Sequence, residues 1–291
     1  MSTRVYIDGR VVPGEAAVIS VFDRGFLYGD SVYEVARTSG GLPVDLERHL
    51  ARLERSAAGI FLPMVPRAEV ASAVARTLEA AGNQESYLRL VVTRGQGELG
   101  LDPALAERPA LVVIVRPLHL PPAVLYDEGA TVALVAVRRN LRLAVDPAVK
   151  SGNYLNNIMA LAEAKRAGAY ESIMGNAEGY LVEGSSSNIF VVTAGQLRTP
   201  PLADGLLEGI TRGRVIEIAA GAGLRVVEEH LLPDDLRRAD EAFITSSVRG
   251  VMPVVGVDGA TVADGRPGRV TRNLMARYAE FLVRVATGDK H

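Results

Sequence analysis

The chain contains no cysteine. That absence removes disulfides, thiolate nucleophiles and cysteine-ligated metals together. Lysine is nearly as scarce: of 32 basic residues, only Lys150, Lys165 and Lys290 are lysine. Genomic composition is enough to explain such a bias, so scarcity alone marks none of the three. No apolar run approaches the ~18 residues of a membrane span. The opening MSTRVYIDGR turns polar at once and does not read as a signal peptide, so a cytoplasmic protein is expected. Neither sign of charge prevails, the formal net charge being -2, which argues against a nucleic-acid or membrane-surface footprint. Several catalytic signatures are missing too. No GxGxxG opens a helix after a strand, and there is no P-loop, HExxH or GxSxG elbow. The four histidines, His49, His119, His230 and His291, are scattered without ligand spacing, so no metal is expected.

What is present suffices for one large core or two medium ones: 291 residues, 48% of them hydrophobic. VYIDGRVV places two short apolar runs around Asp8-Gly9 and reads as a hairpin. Residues 45–61 set Leu46, Leu50, Leu53, Ala57 and Ile60 on one helical face, and residues 66–82 form a second amphipathic helix ending at Gly82. SYLRLVVTRG and ALVVIVRPL read as strands. HLPPAV, 119–124, breaks any regular element, and a new strand follows at 131. The expected division is a small N-terminal domain over 1–119, a linker over 120–126 and a larger C-terminal domain over 127–291. The second part reads as a helix from about 153 to 167, strand pairs around NAEG and AGQ, and a helix at 211–221. Then come a strand at 224–231, a short helix, a strand at 241–246, a hairpin at Asp258-Gly259 and a closing amphipathic helix. Mixed strands and helices in two halves give an α/β or α+β two-domain protein.

Lys150 is the residue whose chemistry arginine cannot replace. A primary amine, once deprotonated, forms Schiff bases or takes up protons, whereas a guanidinium stays charged. Lys150 follows the apolar positions Ala144, Val145, Ala148 and Val149 and precedes a helix start. The residues alone allow either a reactive amine or a surface loop lysine. NYLNNIMALAEAKRAGA puts Tyr154, Ile158 and Leu161 on one helical face, with Tyr154 one turn from Lys150. Glu183 ends an apolar strand at a glycine, where it is either a surface charge or the partner of a buried cation. EGSSSN, 183–188, lacks a partnered base and reads as a turn or an anion-binding loop.

The order KSGNYLNNIMALAEAKRAGA, GYLVEGSSSNIFVV, LLEGITRGRVIEIA and EAFITSSVRGVMPV closely resembles the fold-type IV pyridoxal phosphate enzymes, the class IV aminotransferases. FDRGFLYGDSVYEVART, LERHLARLERSA and SYLRLVVTRGQGELGLDP agree, so the resemblance runs through nearly the whole chain. It implies a small N-terminal α/β domain, a larger C-terminal domain, a cofactor cleft between them, and a homodimer or higher homo-oligomer. It implies that Lys150 forms the Schiff base with pyridoxal 5'-phosphate and moves the substrate proton. Glu183 would keep the pyridine nitrogen protonated, and Tyr154 would hydrogen-bond the phenolate oxygen. Arg52 would fork the phosphate. Gly209, Ile210 and Thr211, opening a helix, together with Ser246 and Ser247, would supply further donors. Leu207 would pack on one ring face.

The substrate side rests on less. Strand alternation places Tyr87, Arg89 and Val91 on one face, so an arginine buried beside a tyrosine would bind a substrate carboxylate. Tyr28 and Tyr33 would line the apolar side. YLRLVVTRGQGELGLDP and NYLNN are most similar to branched-chain aminotransferases acting on L-amino acids. VYEV and EGSSSN are more similar to D-amino-acid aminotransferases, although Leu99 and Leu101 stand where those carry an arginine and histidine pair. Arg89 argues against an R-selective amine aminotransferase. TSSVRGVMPV, with an unexpected Arg249, is similar to endings in aminodeoxychorismate lyases. The expected reaction is transfer of an amino group between an aliphatic amino acid and a 2-oxo acid such as 2-oxoglutarate. The D-specific transaminase and the lyase remain the alternatives.

Overall fold

The computed structural model describes residues 2–106 and 108–289; Lys290 and His291 lie outside the described residues. The chain divides into two compact units. One comprises Met1–His119, Val149–Asn153 and Leu282–His291, the other Leu120–Ala148 and Tyr154–Phe281. The return of five residues around Lys150 to the first unit has no signal in a linear reading.

The first unit contains β1 (Arg4–Ile7), β2 (Arg10–Pro13), α1 (Arg24–Tyr28), β3 (Ser31–Ser39), β4 (Leu42–Pro43), α2 (Leu46–Gly59), α3 (Arg67–Ala81), β5 (Ser86–Thr93) and β6 (Ala110–Pro117). Its six strands form one antiparallel sheet in the order β2-β1-β6-β5-β3-β4. The Asp8–Gly9 turn carries positive φ at both residues, the geometry whose twist matches a two-residue hairpin. Alternation assigns the faces. Val32, Glu34 and Ala36 of β3 and Leu88, Leu90 and Val92 of β5 are all buried. Their apolar members share one core with Leu50, Leu53 and Ala57 of α2 and Val70 and Ala73 of α3. Each such leucine or valine contributes roughly 1.5–3 kcal/mol by leaving water. Glu34 is the one charged residue in that row, and it belongs to the site.

The second unit contains α4 (Val124–Asp127), β7 (Ala130–Leu134), α5 (Leu155–Arg166), β8 (Glu171–Gly175), β9 (Leu181–Gly184), β10 (Asn188–Thr193), β11 (Gln196–Thr199), α6 (Ile210–Gly221), β12 (Val226–Glu228), α7 (Pro233–Arg237), β13 (Glu241–Ser246), β14 (Gly250–Val257), β15 (Ala260–Thr261) and most of α8 (Arg269–Ala286). Its sheet runs β12-β11-β10-β13-β14-β7-β8-β9 and then closes on itself, because β9 also pairs β10. That closure rests on one residue pair, Glu183 opposite Asn188. Closing a sheet removes its exposed edges and holds residues at the seam in a fixed register.

Three local expectations change. The strand expected over 224–231 is only Val226–Glu228. Helix α5 starts at Leu155 with Tyr154 as its N-cap, so no helical turn links Tyr154 to Lys150. Its buried face is Asn157, Ala160 and Ala164, while Leu155, Ile158 and Met159 are exposed. Small residues let the helix lie close against the sheet, and that packing, rather than the count of large apolar side chains, chose the face. Leu141, Leu143 and Val145 are exposed as well, so the apolar segment ahead of Lys150 is not a buried wall.

Candidate active site

In the first unit, the Lys150 segment lies between β3 and α2. The Tyr33 N–H donates to the Lys150 carbonyl at 2.9 Å, Ser151 pairs with Val32, and the Lys150 N–H donates to Ser56 Oγ at 3.1 Å. Ser56 stands one turn after Arg52 on α2, so the Lys150 backbone and the arginine are held by the same helix. Lys150 Nζ lies 4.5 Å from the centroid of the Tyr33 ring, and Arg89 Cζ lies 4.1 Å from it. Register explains the second contact: Tyr33 is opposite Val91 and Val35 opposite Arg89, so Tyr33 and Arg89 are diagonal neighbours on one face.

Arg89 is half-buried, not buried as alternation alone implied, and the ring it meets is Tyr33 rather than Tyr87. Helices α2 and α3 pack on the other face of the sheet, and Tyr87, Arg89 and Val91 keep partial solvent contact. Tyr87 instead carries the Arg116 guanidinium over its ring at 4.6 Å. Tyr28 lies on α1, where its hydroxyl accepts the Gly100 N–H and its ring faces Arg24. Among the described residues, Arg89 has no carboxylate partner.

Arg52 is committed from beneath. Its Nε and Nη2 donate to the two oxygens of Glu34, each at 2.7 Å, and His49 Nδ1 lies 2.7 Å from the same carboxylate. Glu34 is fully buried, Arg52 and His49 nearly so. Burial pushes the Glu34 carboxyl up, but the Arg52 charge and the hydrogen bonds from Arg52 and His49 outweigh it and bring it down to about 2. Glu34 and His49 were not foreseen as site residues. Their signal was present in the sequence: an acid at an inward strand position between Val32 and Ala36, and a histidine three residues before Arg52 on one helical face.

In the second unit, Glu183, Asn188 and Thr245 are successive cross-strand partners on β9, β10 and β13, and therefore share one face. Glu183 is buried and accepts Arg139 Nε at 2.7 Å on one oxygen and the Leu207 N–H at 3.1 Å on the other. Arg139 also reaches Asn156 Oδ1 at 3.2 Å, in the first turn of α5 beyond Tyr154, which is half-buried. Leu207, half-buried, returns its carbonyl to Asn188 Nδ2 at 3.0 Å. Gly209 then caps α6 without any side-chain cap, and Ile210 and Thr211 are buried in its first turn. A Cβ at Gly209 would overlap Asn188 Oδ1, so only glycine lets the helix start this close to the row. Thr245 Oγ1 is buried and has no hydrogen-bond partner among the described residues.

Among the described residues this half therefore holds a buried carboxylate paired with an arginine, a helix start without a side-chain cap, and an unsatisfied hydroxyl. Arg139, Asn188 and Thr245 went unnoticed in the sequence, because only strand pairing aligns residues so far apart along the chain. Ser246, the last residue of β13, and Ser247, the first of the turn after it, are half-buried, and Ser246 Oγ accepts the Arg249 N–H at 3.4 Å. The EGSSSN serines do not form an open anion loop. Ser185, Ser186 and Ser187 all donate their hydroxyls to Glu171.

A closed mixed sheet with a carboxylate at its seam and a separate six-stranded unit carrying a primary amine define a class that comparison identifies. Residues 31–257 match the family model described as amino-transferase class IV, and the chain belongs to that family of aminotransferases. Over 279 residues, 96% of each chain, it is 38% identical to a protein of Methanocaldococcus jannaschii provisionally named a branched-chain-amino-acid aminotransferase. It is 32% identical over 272 residues to the D-alanine aminotransferase of Bacillus licheniformis, covering 93% of this chain and 94% of the other. An aminotransferase from Brucella abortus, solved bound to the co-factor PLP, superposes with a TM-score of 0.86 at 26% identity, covering 97% of this chain and 100% of that one. No helix among the described residues is long and apolar enough to cross a membrane.

Proposed function

We propose that this aminotransferase uses pyridoxal 5'-phosphate and exchanges an amino group between an aliphatic amino acid, foremost a branched-chain L-amino acid, and 2-oxoglutarate. The observation that carries the reading is the Tyr33 ring with Lys150 Nζ and Arg89 both against it. A primary amine and a cation without a carboxylate partner among the described residues are thereby held within one substrate length of each other. The chain's residues fit the cofactor on independent grounds: the buried Thr245 hydroxyl lacks a partner, the start of α6 lacks a cap, and the Glu183 carboxylate is buried.

When bound, the coenzyme supplies an aldehyde for the amine and a ring that accepts electron density from the substrate Cα. Lys150 Nζ would hold the aldehyde carbon and would carry the proton moved from the substrate Cα. Glu183, fixed by Arg139 and the Leu207 N–H, would keep a proton on the ring nitrogen. Tyr154 would donate to the phenolate oxygen, and Leu207 would pack against the ring. Arg52, held by both oxygens of Glu34, Gly209 to Thr211, and Ser246 and Ser247 would hold the phosphate. Arg89 receives the distal carboxylate of glutamate or 2-oxoglutarate, with Tyr28, Tyr33 and Tyr87 around it. Relatives named for branched-chain and for D-alanine substrates both support transamination, and they divide on the substrate. The exposed Leu155, Ile158 and Met159 support a homodimer, since an apolar row of this kind is normally covered.

Half-reactions test the reading. The B6-supplied protein is expected to be coloured, and Lys150→Ala colourless. L-leucine and L-glutamate should each discharge the visible band. Discharge by D-alanine and D-glutamate alone would establish the D-specific alternative, and pyruvate release from aminodeoxychorismate without an amino acceptor would establish the lyase. A colourless wild-type protein overturns all three.

A further inference from the structure

Arg249 is the residue that the family pattern did not absorb, and its surroundings are built rather than incidental. Glu171, at the start of β8, is 1% exposed and gathers donors from three segments. Its carboxylate accepts the N–H groups of Ser172 and Ser185 at 3.0 and 3.1 Å, the hydroxyls of Ser186 and Ser187, each at 3.2 Å, and Arg249 Nη1 at 3.0 Å. Arg249 Nη2 also donates to the Ser186 hydroxyl and, at 3.4 Å, to its carbonyl. The Arg249 carbonyl accepts the Tyr126 hydroxyl at 3.0 Å. Gly250 closes the turn at φ 67°, and a Cβ there would press on the Tyr278 ring. The guanidinium is thus neutralised, which disqualifies it as a trap for a substrate carboxylate. Its position is informative. One end ties the loop that follows Glu183, the other the turn that follows the unsatisfied Thr245 hydroxyl.

We infer that Arg249 is a positioning residue: through Glu171 and Ser186 it fixes the Ser246–Gly250 turn so that Thr245 Oγ1 and the turn's N–H groups are aimed at the cofactor's phosphate. The inference rests on the pyridoxal phosphate reading above and adds a residue that touches neither cofactor nor substrate. A turn of three residues, Ser247 to Arg249, between two strands has its own conformational freedom, and a donor misdirected by a fraction of an ångström loses most of a charge-assisted hydrogen bond. The Glu171–Arg249 pair removes that freedom at its outer side, where β13 and β14 no longer do so.

Pyridoxal phosphate and pyridoxal separate this role from general stability, since both offer the same aldehyde to Lys150 and differ only in the phosphate. Apoenzyme is titrated with each, following the visible band, for wild type, Arg249→Met and Ser186→Ala. In wild type the phosphorylated form binds far more tightly. In Arg249→Met its advantage over pyridoxal falls about tenfold or more, the loss expected of one misaligned charge-assisted hydrogen bond, while pyridoxal binds as before. Ser186→Ala shifts the ratio in the same direction by less. If Arg249→Met does not fold, Glu171→Gln/Arg249→Met, which leaves no unpaired buried charge, is titrated instead. An unchanged ratio, or equal weakening toward both ligands, overturns the inference. Absence of any band in wild type overturns the cofactor reading itself, which is a different outcome.

Discussion

Glu34→Gln removes the charge beneath Arg52 while keeping nearly the same volume, and its effect follows from the buried triad. The Glu34 carboxyl moves from 4.5 to about 2 on folding, a difference corresponding to about 3 kcal/mol of stability. Removing one partner of a buried pair costs about 3–5 kcal/mol in general, because the other charge stays buried alone. The two routes agree, so about 3 kcal/mol is expected at neutral pH. With a urea dependence of ~1–3 kcal/mol per molar, the unfolding midpoint of the variant falls by roughly 1–3 M. The pH signature has a definite sign. A carboxyl whose proton affinity is lowered by folding contributes fully above its unfolded value of 4.5 and loses that contribution as pH falls toward 2. Wild type should therefore lose about 3 kcal/mol across that window, and Glu34→Gln should lack this component. Urea midpoints of both proteins, measured at pH 7 and stepwise down through the acid range, read both effects. Equal midpoints at pH 7, or an acid limb of full size in the variant, would refute the coupling of Glu34 to Arg52 and His49.

Other consequences are equally specific. Arg89→Met should raise KM for 2-oxoglutarate by about 10- to 100-fold, the range for a charge-assisted contact, and leave the half-reaction with L-leucine nearly unchanged. Equal losses for both substrates would remove Arg89 from carboxylate binding. Arg139→Met leaves Glu183 buried without its cation and should destabilise the apoenzyme by about 3–5 kcal/mol, with Arg139→Lys recovering part of it; thermal unfolding of the three proteins decides. Gly209→Ala forces Asn188 to move, which should cost about 1–3 kcal/mol and weaken pyridoxal phosphate binding. A variant with wild-type stability and affinity would show that α6 does not depend on that close approach.

Most elements were legible because their period is local. Leu50, Leu53 and Ala57 announce a buried helical face, and Leu88, Leu90 and Val92 a buried strand face, and both are found. The hairpins at Asp8–Gly9 and Asp258–Gly259 are written in two residues each. Helix α5 was legible as a helix, yet its buried face was not, since Ala160 and Ala164 pack there because they are small.

By itself, the sequence determined which chemistries were available: no thiolate, three lysines, and an ordered set of motifs with one amine at position 150. Those are properties of composition and of short spans, and they survive without coordinates. Tertiary structure alone decided which charges meet. Glu34 takes Arg52, Glu183 takes Arg139, Glu171 takes Arg249, and Arg89 is left against Tyr33. The reason is that ion pairing depends on distances of a few ångströms across strands and helices far apart in the chain, and no local pattern encodes a register between them.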